Sequence, residues 1–289
     1  MSALKLSICM ATYDDHDGCL FSIQAIRMYH NLPDVEFVVL DNNPDGAHGK
    51  AVKQFLQDIP NHKYVEVRDR KGSWVKYLAA QYATGDIVLV LDCHVLLVPG
   101  FFDALFTFWE NNPRSANMLT GPIIYNRFDA ISTHMDPVWR GHDFGIWANH
   151  PDHALGLPFE IPMMGMACFS FLRRAWQPIT PLVKGFGSEE WYMAEHTRRN
   201  GGIVVCHPKM RWWHRFGRPS GIPFPISVED KVHNYYAGWL DLYGTLSHPR
   251  LVEMSRWWCK EPQANGRPVL SEGLLRGIVR GITDEELVL

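Results

Sequence analysis

An acid and an imidazole two residues apart, Asp92 and His94, follow directly on the apolar run Ile87–Leu91. In extended backbone such residues point to the same side. One carboxylate oxygen and one imidazole nitrogen make half of a divalent-metal site, and mixed oxygen–nitrogen ligation suits Mn2+ better than Mg2+. Taken alone, the pair reads more readily as a turn-forming Asp beside a part-buried His. A second pair of acids, Glu189-Glu190, follows Gly187-Ser188 where a helical pattern begins. Such acids complement a helix dipole; in a cleft, a carboxylate is also able to take a proton from a hydroxyl. The run Lys209–Arg218 interleaves Trp212, Trp213 and His214 with Arg215 and Arg218, a chemistry that suits a diphosphate or a nucleic-acid stacking groove. Two further polar clusters, Thr12-Tyr13-Asp14-Asp15 and Asp41-Asn42-Asn43, offer an aromatic face plus acceptors for a pyrimidine imide and a ribose diol. The plainer reading makes them caps of the helices that follow.

These clusters stand at the ends of β-rich runs. Residues 6–12, 35–41, 63–67 and 86–92 alternate with amphipathic stretches over 19–29, 50–56 and 73–82. That alternation predicts an α/β domain with a mixed, mostly parallel sheet flanked by helices. Right-handed crossovers bring the carboxyl ends of parallel strands to one edge, where open α/β sheets bind ligands. Residues 122–162 are rich in Pro, Gly, His and Trp with weak periodicity, the pattern of a functional loop or lid. Its histidines, His134, His142, His150 and His153, lack the tight spacing of a second metal site, and Trp147 is expected to wall an acceptor cleft. Beyond it, 164–172 reads as a buried strand and 188–200 as a helix capped by Ser188 and stopped by Gly201-Gly202. A strand over 202–206 follows, then helices over about 228–243, 249–259 and 271–282.

At this point a family resemblance becomes specific. RKGSWVKYLAAQYATGDIVLVLDCH resembles the segment of GT-A fold glycosyltransferases that runs from a basic-Gly turn through an Ala/Gly-rich helix into a D-x-H. It is most similar to the polypeptide N-acetylgalactosaminyltransferases. PMMGMACFSFLRRAW and GFGSEEWYMAEHTRRNGGIVVCHPKMRWWHRF resemble two downstream blocks of that family, in the same order. The resemblance, over residues 5–218, implies a GT-A domain across 1–225, with a nucleotide-binding half to about 121 and an acceptor and metal half over 122–225. Residues 226–289 would form a helical extension. It implies that His214 joins Asp92 and His94 on Mn2+ (or Mg2+), that Thr12 and Tyr13 pack the base of a UDP-sugar, and that Asp41 accepts from uracil N3–H. Asp14 or Asp15 would reach the ribose, and Lys76 stands where relatives carry an Arg near the metal. Arg215 or Arg218 would join the metal, a Lewis acid, in neutralising the departing UDP. Inverting relatives carry Glu-Asp at the acid pair and the retaining polypeptide enzymes Glu-Asn. Glu189-Glu190 departs from both; because Asn cannot act as a base, the expectation is inversion with Glu190 as general base.

The whole-chain properties fit this picture. The chain has 289 residues, 46% hydrophobic and 20% charged, with a formal net charge of -3. That is enough to bury a sizeable core and argues against disorder. No apolar run approaches the roughly 20 residues needed to span a bilayer. The start, MSALKLSICMATYDD, lacks the layout of a secretion signal. Six scattered cysteines without a C-x-x-C pair point to a reduced, cytoplasmic setting. The expected activity is a hexosyl- or N-acetylhexosaminyl-transfer to a hydroxyl of a saccharide or protein. The alternatives are transfer to a hydroxylated base in DNA, for which the basic-aromatic segments around Arg173-Arg174, Arg198-Arg199 and 209–218 would form a rim, and a non-catalytic nucleotide- or carbohydrate-binding module. A nucleotidyltransferase shares the sheet but usually has a basic Gly-rich loop after its first strand, which ATYDDHDG lacks.

Overall fold

The computed structural model describes residues 4–69, 71–217, 221–263 and 266–289. The first half runs β1 (Leu6–Thr12), α1 (His16–Tyr29), β2 (Glu36–Asp41), α2 (Ala47–Leu56), β3 (His62–Glu66), a 3-10 segment (Ser73–Leu78) leading into α3 (Ala79–Tyr82), and β4 (Ile87–Asp92). Then come β5 (Val95–Leu97), α4 (Phe101–Asn111), β6 (Met118–Thr120), β7 (Ile123–Ile124), β8 (Ile131–Ser132), β9 (His134–Arg140), β10 (Asp143–Ala148) and β11 (Phe159–Glu160). The chain ends with β12 (Cys168–Leu172), α5 (Glu189–Arg199), β13 (Val204–Cys206), β14 (Trp212–His214), α6 (Val228–Tyr243), α7 (Pro249–Cys259) and α8 (Glu272–Arg280).

Eight strands form the main sheet in the order β11-β13-β6-β12-β4-β1-β2-β3. β4, β1, β2 and β3 are mutually parallel, β13 is parallel to β6, and β12 lies antiparallel between β4 and β6. The continuous apolar runs follow from burial on both faces. Cys9, Val38, Leu40, Val88 and Val90 face one cluster, while Ile8, Met10, Val39, Leu89 and Leu91 face the other. Each such side chain contributes about 1.5–3 kcal/mol relative to an exposed one, so the two-faced strands anchor everything placed at their ends. The first cluster also takes up Tyr235, Trp239, Trp258 and Leu275 from α6, α7 and α8.

A smaller sheet, β5-β14-β7-β8, sits beyond the carboxyl end of β4. It forms because Gly121 carries no side chain: a Cβ there would lie 1.7 Å from the Met210 carbonyl oxygen. That close approach brings β14 beside β7, where the Trp212 indole donates to the Gly121 carbonyl at 2.7 Å.

Two expectations change here. The Pro- and Trp-rich segment 122–162 is not one irregular lid; it contains the β9–β10 hairpin, folded back so that Trp147 pairs with Met135. The helix after Gly187 starts as expected, but Ser188 sits at a left-handed φ of 76° and makes no side-chain cap. Its hydroxyl donates instead to the Lys231 carbonyl on α6, tying the two helices together.

Candidate functional site

Asp92 is the last residue of β4, and its N–H donates to the Ala167 carbonyl at 2.9 Å. The chain then turns through Cys93-His94 instead of staying extended, and re-emerges as β5. β5 pairs antiparallel with β14, which sets His214 opposite Val95, and the Arg215 N–H donates to the His94 carbonyl at 3.3 Å. This register brings together residues far apart in sequence. His94 Nε2 and His214 Nε2 lie 3.2 Å apart, and His214 Nε2 is 3.5 Å from an Asp92 carboxylate oxygen. Asp92, His94 and His214 each offer a ligand atom within 4.8 Å of the others.

The donor set fits a divalent first-row cation. It has one hard carboxylate and two imidazole nitrogens turned toward each other, where neutral imidazoles direct lone pairs at a shared point. Burial pushes the Asp92 carboxyl up, yet the nearby Lys76 ammonium, with His214 and His94, holds it well below the usual carboxylate range. A second cluster, Asp15, Cys93 and His94, also has ligand-type atoms within 4.8 Å. Burial pushes the Cys93 thiol well up, so it stays protonated and behaves as a packed apolar group rather than a thiolate ligand.

Two clefts meet at Lys76, Asp92 and His94. The smaller, about 480 Å³, is lined by Thr12 and Tyr13 at the end of β1, Asn42 at the end of β2, and Gly72-Ser73. The larger, about 930 Å³, is bounded by Glu189 and Glu190, His214, Arg215 and Trp147. Phe186 and Phe224 border both, and Phe224 meets Tyr13 edge to face with ring centroids 6.0 Å apart. Trp147 reaches the larger cleft because Gly165 leaves room: a Cβ at Gly165 would lie 2.2 Å from the indole ring.

Lys76 is buried, with Nζ 3.0 Å from the Asp92 carboxylate and 2.9 Å from the Met166 carbonyl. Burial alone would lower its pKa, but Asp92 and Glu189 raise it, so the ammonium stays charged. Glu189 is 3% exposed at the start of α5. Beside it, the Glu190 carboxyl is pushed up to about 7 by burial and by the neighbouring Glu189 charge.

Asp15, expected at a ribose, lines the smaller cleft and has protein partners of its own. It accepts from the Gly18 N–H at the start of α1, lies 3.0 Å from His94 Nδ1, and receives Arg215 Nη2 at 2.7 and 2.6 Å on its two oxygens. Burial would raise its carboxyl, but His94 and Arg215 hold it well below the carboxylate range. Arg215, expected at a diphosphate, thus has one amino group turned to Asp15, while the side chain keeps 30% exposure along the larger cleft. Asp41, expected at uracil, borders neither cleft. It accepts from the Tyr64 hydroxyl at 2.7 Å and the Asn43 N–H at 2.8 Å; Asn42 faces the cleft instead, and its Oδ1 has no hydrogen-bond partner among the described residues. Arg218 lies outside the described residues.

The basic pairs expected near the metal are not there. Arg173 follows β12, whose Leu172 pairs with Ile87, so Arg173-Arg174 stand at the end of the sheet opposite Asp92. Arg198 is bound to the Ile161 and Pro162 carbonyls. Sequence reasoning named Asn42 only as part of a strand-end cluster and gave the specific role to Asp41; it overlooked Phe186 and Phe224. Asn42 had a signal in its strand-end position, and Phe186 in the G-F-G-S turn before the paired acids. Phe224, in a Pro-flanked loop, had none.

A mostly parallel sheet with a cleft at its carboxyl edge, and a D-x-H turn met by a distant His, define the GT-A class of glycosyltransferase fold. Residues 7–177 match the model of glycosyl transferase family 2, and the chain belongs to that family. Polypeptide N-acetylgalactosaminyltransferase 4 of Mus musculus is 21% identical over 226 residues, which cover 72% of this chain and 38% of that protein. The chain therefore spans well under half of that relative's length. Among solved structures, GalNAc-T7 with UDP, GalNAc and Mn2+ superposes with a TM-score of 0.66 at 14% identity, over 90% of this chain and 49% of that one. Mannosyltransferase PcManGT from Pyrobaculum calidifontis, in complex with GDP-Man and Mn2+, gives 0.55 at 14% identity, over 89% and 70%. S. aureus TarS 1-349 in complex with UDP-GlcNAc gives 0.54 at 11% identity, over 96% and 71%. At such identities these structures speak for the fold alone. No helix of the described residues is long and apolar enough to cross a membrane.

Proposed function

We propose that this chain is a metal-dependent transferase that moves a sugar from a nucleoside diphosphate sugar, UDP-linked by preference, to a hydroxyl of a saccharide or protein. The observation that carries the reading is the convergence of Asp92, His94 and His214 between a cleft with base-stacking and amide groups and a cleft bordered by the paired acids Glu189 and Glu190. The solved relatives, in complex with UDP, UDP-GlcNAc or GDP-Man and with Mn2+ in two of them, support that donor class.

A divalent ion held by Asp92, His94 and His214 would neutralise charge growing on the departing diphosphate. The chain's own groups do the rest. Tyr13 offers a ring face to the base, and Asn42 offers an amide oxygen that has no partner among the described residues. Lys76 keeps Asp92 ionised and fixes one of its oxygens. Glu190, half ionised near neutrality, is the carboxylate suited to take the acceptor proton. Trp147 walls the space an acceptor would fill. A duplex acceptor is disfavoured because Arg173-Arg174 stand at the far end of the sheet and Arg198 is held by backbone carbonyls, and duplex binding relies on many Lys and Arg contacts.

A thermal-shift screen of nucleotide sugars with and without Mn2+ tests the donor. A fitting ligand at 100 times its Kd adds about 2.7 kcal/mol, a shift of several degrees. Stabilisation by UDP-sugars that needs Mn2+ is the expected outcome. Equal stabilisation in EDTA, or none with any nucleotide sugar, counts against the reading.

A further inference from the structure

We propose that Asp15 is a positioning residue that sets the tautomer and ring orientation of His94, and that Arg215 holds Asp15 in place to do so. The inference rests on the reading of Asp92, His94 and His214 as metal ligands and assigns Asp15 a place behind them. His94 has two ring nitrogens with different neighbours. Nε2 faces His214 Nε2 at 3.2 Å, while Nδ1 faces an Asp15 oxygen at 3.0 Å. A carboxylate is an acceptor only, so the Nδ1 contact fixes a proton on Nδ1 and leaves the Nε2 lone pair for a cation. Metal-binding histidines generally have their second nitrogen held in this way, which also makes the ligating nitrogen more basic.

Asp15 is itself held by a backbone N–H and by a guanidinium. The Gly18 N–H at the start of α1 donates to one oxygen, and Arg215 Nη2 contacts both. Arg215 follows His214 directly, and its own N–H donates to the His94 carbonyl. One short segment therefore carries a ligand, His214, and the clamp on the group that orients another ligand. The end of β1, the turn after β4 and the end of β14 are locked into one unit. Asp15, His94 and the Asp92 ammonium partner Lys76 are all nearly buried, so water does not dilute these contacts.

The test uses Mn2+ alone as the probe, on the full chain. Asp15→Ser keeps a good helix-capping residue but removes the carboxylate. Mn2+ affinity measured by calorimetry is expected to fall about 10–100-fold. In ¹⁵N-histidine spectra of the metal-free protein, His94 is expected to lose its fixed Nδ1–H tautomer, a signature that a purely structural role would not move. Asp15→Asn keeps the cap and side-chain shape and serves should the Ser variant fail to fold; it is expected to lower affinity as well. Mn2+ affinity within about twofold of wild type in both variants, with the His94 tautomer unchanged, overturns the proposal. His214→Ala run alongside separates the two ideas. If it loses Mn2+ while the Asp15 variants do not, only the role of Asp15 falls; if it binds Mn2+ as wild type does, the metal reading falls and Asp15 with it.

Discussion

His214→Ala should bind Mn2+ far more weakly than wild type, lose the metal-dependent part of its affinity for UDP, and keep its fold. The loss should exceed the about 10–100-fold typical of removing a group that merely supports a ligand. The fold should survive because β14 is anchored by Trp212, which is 1% exposed and bonded to Gly121, while the His214 ring stands at the strand's end. Calorimetric titration of Mn2+, then of UDP in Mn2+ and in EDTA, with circular dichroism as a check on folding, reads all three outcomes. Unchanged Mn2+ and UDP binding would remove His214 from the metal centre.

Glu190→Gln carries the second large effect. Gln is nearly isosteric, so donor binding should persist, while turnover should fall about 10²–10⁴-fold if Glu190 accepts the acceptor proton. Burial and Glu189 push the free enzyme's carboxyl up to about 7, so wild-type kcat/KM should rise as pH rises through about 7, where the base becomes ionised, and then level off. The variant's residual rate should lack that limb. Stability points the other way. Because the folded pKa is raised above the ordinary 4.5, ionising Glu190 disfavours the folded state, a cost that sets in above about pH 4.5 and is complete above pH 7. Glu190→Gln should thus melt no lower than wild type at pH 8. A change in kcat under about threefold would return Glu190 to the role of a helix-terminus acid. Retained anomeric configuration in the product would favour the Glu-Asn comparison over the Glu-Asp one.

The parallel core was legible because its signal is local. The runs before Thr12, Asp41 and Asp92 are apolar on both faces, and each ends in polar residues, so the strands and the ligand-binding edge follow together. The helices over Val228–Tyr243 and Pro249–Cys259 were equally plain from their periodicity. The short strands were not. β5 and β14 have three residues each, and Trp212–His214 reads as an aromatic-basic run until its antiparallel partner is known. Burial and long-range pairing decide such segments, not propensity.

The site divides the same way. Asp92 and His94 could be named from the strand end, while His214 came from the family resemblance alone. What the residues did not disclose is which polar groups are already engaged. Asp41 looks like a free acceptor until Tyr64 and Asn43 are seen on it. Asp15 looks like a ribose ligand until Arg215, 200 residues away, closes on it. Two of the three basic segments show the same effect: Arg173 and Arg198 bind backbone carbonyls away from the clefts, while Arg215 of the third borders the larger one.

The central claim is that one divalent ion sits among Asp92, His94 and His214 and carries the diphosphate of the donor. Crystals grown with Mn2+ and UDP, with anomalous data collected at the manganese edge, test it most directly. A single strong peak is predicted within coordination distance of an Asp92 carboxylate oxygen, His94 Nε2 and His214 Nε2, with UDP phosphate oxygens completing the shell and the uracil beside Tyr13. An ion held elsewhere, or UDP bound in the cleft with no metal at these three residues, would contradict it.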